Sequence, residues 1–461
     1  MFRTRSSKLF AAAMAMLLAS ALGALMPASA APAPPRNSTD YVVYRVHDAA
    51  DRAAKLSSAG FDVLEHRVGD DLFVLGDRGA AGELRAAGFT PSVHKTMRVP
   101  GWQAPARGER AEPTVQDTYY GGYHTVNAHY AHLDKVAADH PDLATVETYG
   151  QSWRKATGKD GGYDLKAICI TKKAEGDCQR NPDSAKPRFF LMSQTHAREI
   201  ATGEISYQWI DYLVNGYGND QAVTKLLDST EVWVVPIHNP DGVDIVQQGG
   251  DSPELHRKNA NDTHGADCGG NQSSQIGVDL NRNNDTHWGG NGTSEDPCDQ
   301  TFLGPEANSE VENGSLQKLL TELYPDKREG GDGAAAPNDT RGMLVTLHSY
   351  AGMVLFPWGH DSSVKTGNDA ALRSLGGELG EQLGYQSGQA GEILYDASGG
   401  HDDWIYDKLG VAAYTIELGD VDGRGCDGFL PRYSCATDYF WPQMQPALLH
   451  AAQRASAPYQ S

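Results

Sequence analysis

The sequence predicts an α/β protein with a mixed, mainly parallel central sheet flanked by helices, preceded by a small α+β unit. Three observations lead to it. From about Tyr119 onward, four short apolar runs recur between turn signals: "RFFLMSQ", "EVWVVPI", "MLVTLH" and "AAYTIEL". They lack the polar alternation of a one-sided sheet, so they read as strands buried on both faces. Helical periodicity marks "GYHTVNAHYAHLDKVAADHP", "EISYQWIDYLVNGYG", "DAALRSLGGELGEQLG" and "MQPALLHAAQRA", an interleaving that points to layered α/β architecture. Finally, residues 41–94 form a unit of their own. There "YVVYRV" and "DLFVLG" alternate as strands, while "AADRAAKLSSAG" and "GAAGELRAAG" read as short helices ending at Gly.

In chain order, residues 1–30 come first. Arg3, Arg5 and Lys8 precede the apolar run "LFAAAMAMLLASALGALM", and Ala28-Ser29-Ala30 supplies an A-x-A cleavage pattern. A membrane anchor is the competing reading, but an Ala-rich run ending in small residues favours a signal peptide and export. The small unit, taken as 31–98, is followed at 99–114 by "VPGWQAPARGERAEPT", rich in Pro, Gly and charge, which reads as an exposed linker. A small unit before a linker holding Arg107 and Arg110, in an exported chain, reads as a propeptide with an activation site for another protease. A permanent accessory domain is the alternative. Residues 115–461 form the main domain.

The 461 residues carry a formal net charge of −21, with no Lys/Arg excess to attract nucleic acid or an anionic membrane. A monomer is expected. Six cysteines fit export. The short separations within Cys169/Cys178 and Cys426/Cys435, in polar segments, favour sequential pairing, with Cys268/Cys298 as the third pair. No C-x-x-C is present to suggest a cysteine zinc site. Gly/Asn/Asp-rich tracts at 259–276, 283–300 and 326–341 read as long surface loops, with Ca²⁺ as a candidate ligand for some of them.

The strand-like runs share one feature. They lead into His196, His238-Asn239, His348 and Glu417 respectively. Ligands of open α/β sheets bind beyond the carboxyl ends of strands, so four runs deliver polar groups towards one rim. Catalytic zinc needs three protein ligands and an open position. His196 and Glu199 offer an imidazole and a carboxylate, His348 a distant third ligand, and Glu417 a general base.

The ordered motifs "HARE" (196–199), "NPDG" (239–242), "GVDLNRN" (277–283), "GPEANSE" (304–310), "LHSY" (347–350), "YDASGGHDDWIY" (395–406) and "TIEL" (415–418) resemble those of the zinc metallocarboxypeptidases of the carboxypeptidase A/B type. That family holds its zinc with a His₂Glu ligand set. The resemblance implies a carboxypeptidase-like fold and a zinc-dependent exopeptidase that cuts the C-terminal bond of peptides. It makes His196, Glu199 and His348 the Zn²⁺ ligands, one ion per chain, and Glu417 the general base. Asp279 corresponds to the carboxylate that holds the His196 ring, and Arg257 to the arginine facing the oxyanion. Asn281 and Arg282 correspond to the clamp on the substrate carboxylate, Arg198 to a further subsite arginine, and Tyr395 to a mobile phenol. Asp402, seven positions after Tyr395, falls at the floor of the specificity pocket. An aspartate there implies release of C-terminal Arg or Lys, with apolar residues as additional substrates.

No role follows from the resemblance for His238, His287 or His401, which read as structural or loop residues. A deacylase or cell-wall amidase of the same fold, and an inactive zinc-holding binding module, are the alternatives. The presence of Glu417, Asn281 and Arg282 together argues against the inactive module.

Overall fold

The computed structural model describes residues 40–98, 117–268 and 274–460. The signal segment 1–30 and the linker 99–114, with Arg107 and Arg110, lie outside them. Residues from Thr39 onward group into one unit.

The amino-terminal segment builds four strands where alternation alone suggests two: β1 (Asp40–His47), β2 (Asp62–Val68), β3 (Asp71–Gly76) and β4 (Thr90–Arg98). Charged residues break the pattern of β2 and β4, "DVLEHRV" and "TPSVHKTMR", which hides them from a periodicity reading. The sheet is antiparallel, in the order β2-β3-β1-β4. Helices Ala53–Ser58 and Ala80–Ala86 stand where expected. Because side chains alternate across a strand, this sheet has two apolar faces. Val42, Tyr44, Val46 and Val74 pack with Leu56 and Leu84 of the helices. Val43, Leu64, Phe73 and Leu75 face the larger part of the chain, against Leu255, Tyr350 and Phe429.

After a short hairpin of β5 (Thr118–Tyr119) and β6 (Tyr123–His124) comes the main sheet. It comprises β7 (Ala144–Gln151), β8 (Asp164–Ile170), β9 (Arg188–Ser193), β10 (Glu231–Val235), β11 (Met343–Ser349), β12 (Met353–Leu355), β13 (Gln386–Gly388) and β14 (Ala412–Leu418). Their order is β13-β12-β14-β11-β9-β10-β8-β7. The four expected runs are β9, β10, β11 and β14, mutually parallel at the centre, and antiparallel contacts flank them. The fold is α/β, with a mixed central sheet that is parallel at its centre, as expected.

Both faces are covered, as the apolar runs require. Phe189, Leu191, Val345, Leu347, Tyr414 and Ile416 pack under Ile200–Gly216 and Trp441–Arg454. Phe190, Met192, Leu344 and Ala413 pack under Val311–Leu323 and His401–Leu409. The helix expected from Glu204 begins at Ile200, with Glu199 at its amino-terminal cap position. Three disulfides join Cys169–Cys178, Cys268–Cys298 and Cys426–Cys435, the sequential pattern. Among the described residues, no helix is long and apolar enough to cross a membrane.

A buried ion pair ties the amino ends of the central strands together. Glu231 Oε2 accepts from Arg188 Nε at 2.7 Å and from Trp233 Nε1 at 3.0 Å, and Oε1 accepts from the Cys178 amide at 3.1 Å and Ser184 Oγ at 3.0 Å. Glu231→Ala strands the Arg188 charge in the core and should cost about 3–5 kcal/mol. Denaturant unfolding checks this, and a loss below ~1 kcal/mol would contradict it.

Candidate metal and substrate site

Along one face of β11 and β14 the chemistry changes as the strands leave the core. Leu344 and Ala413 are apolar; two and four residues on, the same face carries Thr346 and His348, and Thr415 and Glu417. His348 and Glu417 are register partners across the two parallel strands. His196 follows the end of β9 in the turn that leads to helix Ile200–Gly216. Asn239 holds that turn in place. Its Oδ1 caps the helix Pro240–Gln247 through the Gly242 amide at 3.0 Å, while Nδ2 donates to Thr195 O at 3.1 Å and Lys258 O at 3.0 Å. A Cβ at Gly242 would lie 2.5 Å from Lys258 O, so this close approach needs glycine. The "NPDG" motif is thus the brace behind the site.

The three expected metal ligands converge. His196 Nδ1 lies 2.6 Å from Glu199 Oε1, His348 Nδ1 3.1 Å from Glu199 Oε2, and the two Nδ1 atoms are 3.1 Å apart. All three residues are buried. Ligand atoms on a tetrahedral zinc at about 2.0–2.1 Å stand roughly 3.3 Å apart, a spacing these contacts approach. Two imidazole nitrogens aimed at each other across one carboxylate form a donor set that suits a borderline divalent cation. The residues therefore fit zinc.

Around this centre every charge is buried. Asp279 accepts from both sides: its Oδ1 lies 3.1 Å from His196 Nε2, and its Oδ2 takes Arg257 Nε at 3.1 Å and Nη2 at 3.0 Å. Against the penalty of burial, Arg257, His196 and Arg282 hold the Asp279 carboxyl well below the usual range. Glu417 has the opposite environment. Burial, then the nearby Glu199 and Glu65, push its carboxyl well above the ordinary value, and its Oε2 has no hydrogen-bond partner.

The remaining predicted residues lie around the same rim. Asn281 Oδ1 accepts from the His401 amide at 3.1 Å and faces its Nδ1 at 3.0 Å. The Arg282 guanidinium donates to Gly292 O and Asn281 O, both at 2.9 Å. Asp402 sits in the first turn of helix His401–Leu409, a helix that the Gly-rich motif conceals. One of its oxygens accepts from the Asp403 amide and the other from Thr415 Oγ1, each at 3.0 Å. Thr415 shares the strand face of Glu417, so Asp402 also belongs to the cleft side. Burial, then the adjacent Asp403, push its carboxyl up to about 7.

Two residues at the site escape the sequence reading: Asp62 and Glu65 of β2. Asp62 grips Arg198 bidentately at 2.6 and 2.9 Å, with the guanidinium 3.9 Å from the Phe429 ring centroid. Glu65 Oε1 accepts from Arg257 Nη1 at 2.9 Å. Between them, Val63 O accepts from the Tyr395 hydroxyl at 3.4 Å. The only local signal is a pair of carboxylates three apart in an otherwise apolar "DVLE". His401 was visible beside Asp402 but lacked an assignable role; it shares Asn313 Oδ1 with His238, each at 3.2 Å.

Comparison with known proteins agrees with this geometry. Residues 129–439 match the Peptidase M14 family, described as zinc carboxypeptidase. Carboxypeptidase A2 of Mus musculus is 30% identical over 318 residues, covering 68% of this chain and 65% of that protein. Carboxypeptidase A1 of Homo sapiens is 28% identical over 324 residues, 68% of this chain and 67% of the relative. The crystal structure of carboxypeptidase A from Helicoverpa armigera shares the fold, with a TM-score of 0.67 at 21% identity over 90% of this chain and 97% of its own. The strands, the rim and the family match converge: the chain belongs to the zinc carboxypeptidase family.

Proposed function

We propose that this chain is a secreted zinc-dependent metallocarboxypeptidase that removes the last residue of peptides, and that its amino-terminal unit, 40–98 as described, is a propeptide. One observation carries the reading. Three groups, Arg198 and Tyr395, which the family likeness assigns to substrate binding, and Arg257, which it assigns to the oxyanion, are each engaged by β2. A carboxylate on each arginine is what a peptide carboxylate or an oxyanion would offer them. The three disulfides support export.

His196, Glu199 and His348 would hold the zinc, which would supply Lewis-acid polarisation of the scissile carbonyl and a lowered pKa for water. Asp279 fixes the His196 tautomer by holding its far nitrogen. Glu417 takes a proton from the attacking water and passes it to the leaving amine. Arg257 faces the developing oxyanion, and Asn281 with Arg282 holds the terminal carboxylate. Asp402 receives a cationic end side chain, so Arg and Lys are preferred and apolar residues are secondary substrates. The activating partner is a protease that cuts near Arg107 or Arg110.

Three outcomes are expected. Glu417→Gln should keep its zinc and lose ~10²–10⁴-fold in kcat; near-normal turnover places the base elsewhere. The uncleaved chain should hydrolyse a blocked dipeptide poorly, and Asp62→Asn/Glu65→Gln should raise that basal rate without cleavage. Equal rates before and after trypsin would remove the propeptide reading. Asp402, whose carboxyl burial and then Asp403 push up to about 7, gains its charge as the pH rises from 6 to 8. The Arg-to-Leu ratio of kcat/KM should therefore rise across that interval, and Asp402→Asn should flatten it. A ratio indifferent to both pH and substitution would show that Asp402 does not set specificity.

A further inference from the structure

We infer that His287, Asp332 and His360 form a second site for a zinc-type divalent cation, away from the rim that carries Glu417. Their ligand atoms all lie within 4.8 Å of one another. His287 Nε2 is 3.0 Å from Asp332 Oδ1, and His360 Nε2 is 3.8 Å from Asp332 Oδ2. The two imidazoles lie face to face, 3.4 Å between centroids and 7° from parallel, so both present Nε2 to the same carboxylate. Two protonated rings would repel in that stack. Two neutral rings each present a lone pair on the side of Asp332, and a tilt of the rings out of the stack would let one cation take both.

The outward nitrogen of His287 has a hydrogen-bond partner, as those of metal-binding histidines usually do, and that of His360 has a carboxylate within ion-pair distance but no hydrogen bond. His287 Nδ1 lies 3.3 Å from Thr286 Oγ1, whose hydroxyl donates to Asp407 Oδ2 at 3.0 Å. His360 Nδ1 faces Asp403 Oδ2 at 3.5 Å, and Asp403 is itself pinned by the Gly359 and His360 amides at 2.8 and 3.1 Å. Trp358 packs edge-on to both rings and donates its indole N–H to Asp332 O at 3.2 Å. The nearest strong cation does not compete. Arg328 pairs with Asp407 at 3.0 Å and otherwise binds backbone carbonyls. Among the described residues, the Asp332 carboxylate meets no lysine or arginine.

The ligands come from three irregular loops, around 287, 332 and 360, that contain no helix or strand. A metal here is a staple between them. Asp403 links that staple to the first turn of helix His401–Leu409, the turn that also holds Asp402. Two imidazoles and one carboxylate select zinc or a similar borderline ion and leave a position for water, whereas calcium takes an all-oxygen shell. The tracts 283–300 and 326–341 thus contribute one ligand each to a nitrogen-rich site.

The test is equilibrium dialysis of the full chain, stripped by chelator, against micromolar zinc, with zinc per chain read by elemental analysis. Wild type should hold two equivalents. His287→Gln and Asp332→Asn should each hold one and, after cleavage, keep peptidase activity, which shows that they fold. His196→Ala should also keep one, and zinc should raise its thermal midpoint, whereas His196→Ala/Asp332→Asn should show no such rise. One equivalent in wild type, or two in Asp332→Asn, overturns the proposal. Failure of the catalytic reading alone leaves the zinc-dependent rise in His196→Ala intact.

Discussion

A charge taken out of water must be neutralised where it lies, and that constraint governs this structure. An unpaired ion inside a protein costs several kcal/mol, and the rim buries at least eight ionisable groups. The carboxylates are Asp62, Glu65, Glu199, Asp279 and Glu417, and the guanidinium groups are Arg198, Arg257 and Arg282. Pairing accounts for most of them: Asp62 with Arg198, Glu65 and Asp279 with Arg257. Two carboxyls have no guanidinium ion-pair partner: Glu199, and Glu417, which burial and the nearby Glu199 and Glu65 hold towards its neutral form. A dication held by His196, Glu199 and His348 would neutralise Glu199 and favour ionisation of Glu417, and metal binding and the charge state of the rim thereby become one electrostatic question.

The same constraint explains why the rim stands where it does. Parallel strands buried on both faces tolerate polar residues only at their ends, where helices and loops rather than neighbouring strands supply partners. In β11 and β14 the change from apolar to polar comes within two residues on one face. The parallel register then sets His348 beside Glu417 without any loop being asked for precision. His196 and Glu199 need more support, because they stand on a turn. Asn239, Asp279 and the backbone of Arg257 supply it from elsewhere in the chain.

Legibility in the sequence follows from which interactions are local. β9, β10, β11 and β14 are legible because burial on both faces leaves continuous apolar runs. β12 and β13, three residues each, are too short to show a period. Helix His401–Leu409 is hidden behind "ASGG" and two aspartates, although its Gly410 end, at φ 69°, is an ordinary stop signal. Within the site, the residues named from motifs do gather on one rim. Asp62 and Glu65 are missed because nothing local distinguishes a carboxylate that meets an arginine 136 or 192 residues away. His287 stands in a loop, as expected, but its neighbours Asp332 and His360 lie in other loops, and only folding makes their spacing visible.

The amino-terminal unit combines these themes. Its sheet is apolar on both sides, so Val43, Leu64, Phe73 and Leu75 need the cover of Leu255, Tyr350 and Phe429. Phe429 also lies against the Arg198 guanidinium. Hydrophobic contact and ion pairing therefore share one boundary, and each excludes water from the other, which strengthens both. Under the propeptide reading proposed above, a cut near Arg107 or Arg110 would remove the covalent tether, which for a short linker maintains an effective concentration in the millimolar range. The unit would then compete as a free ligand against dilution and against substrate carboxylates for the same arginines.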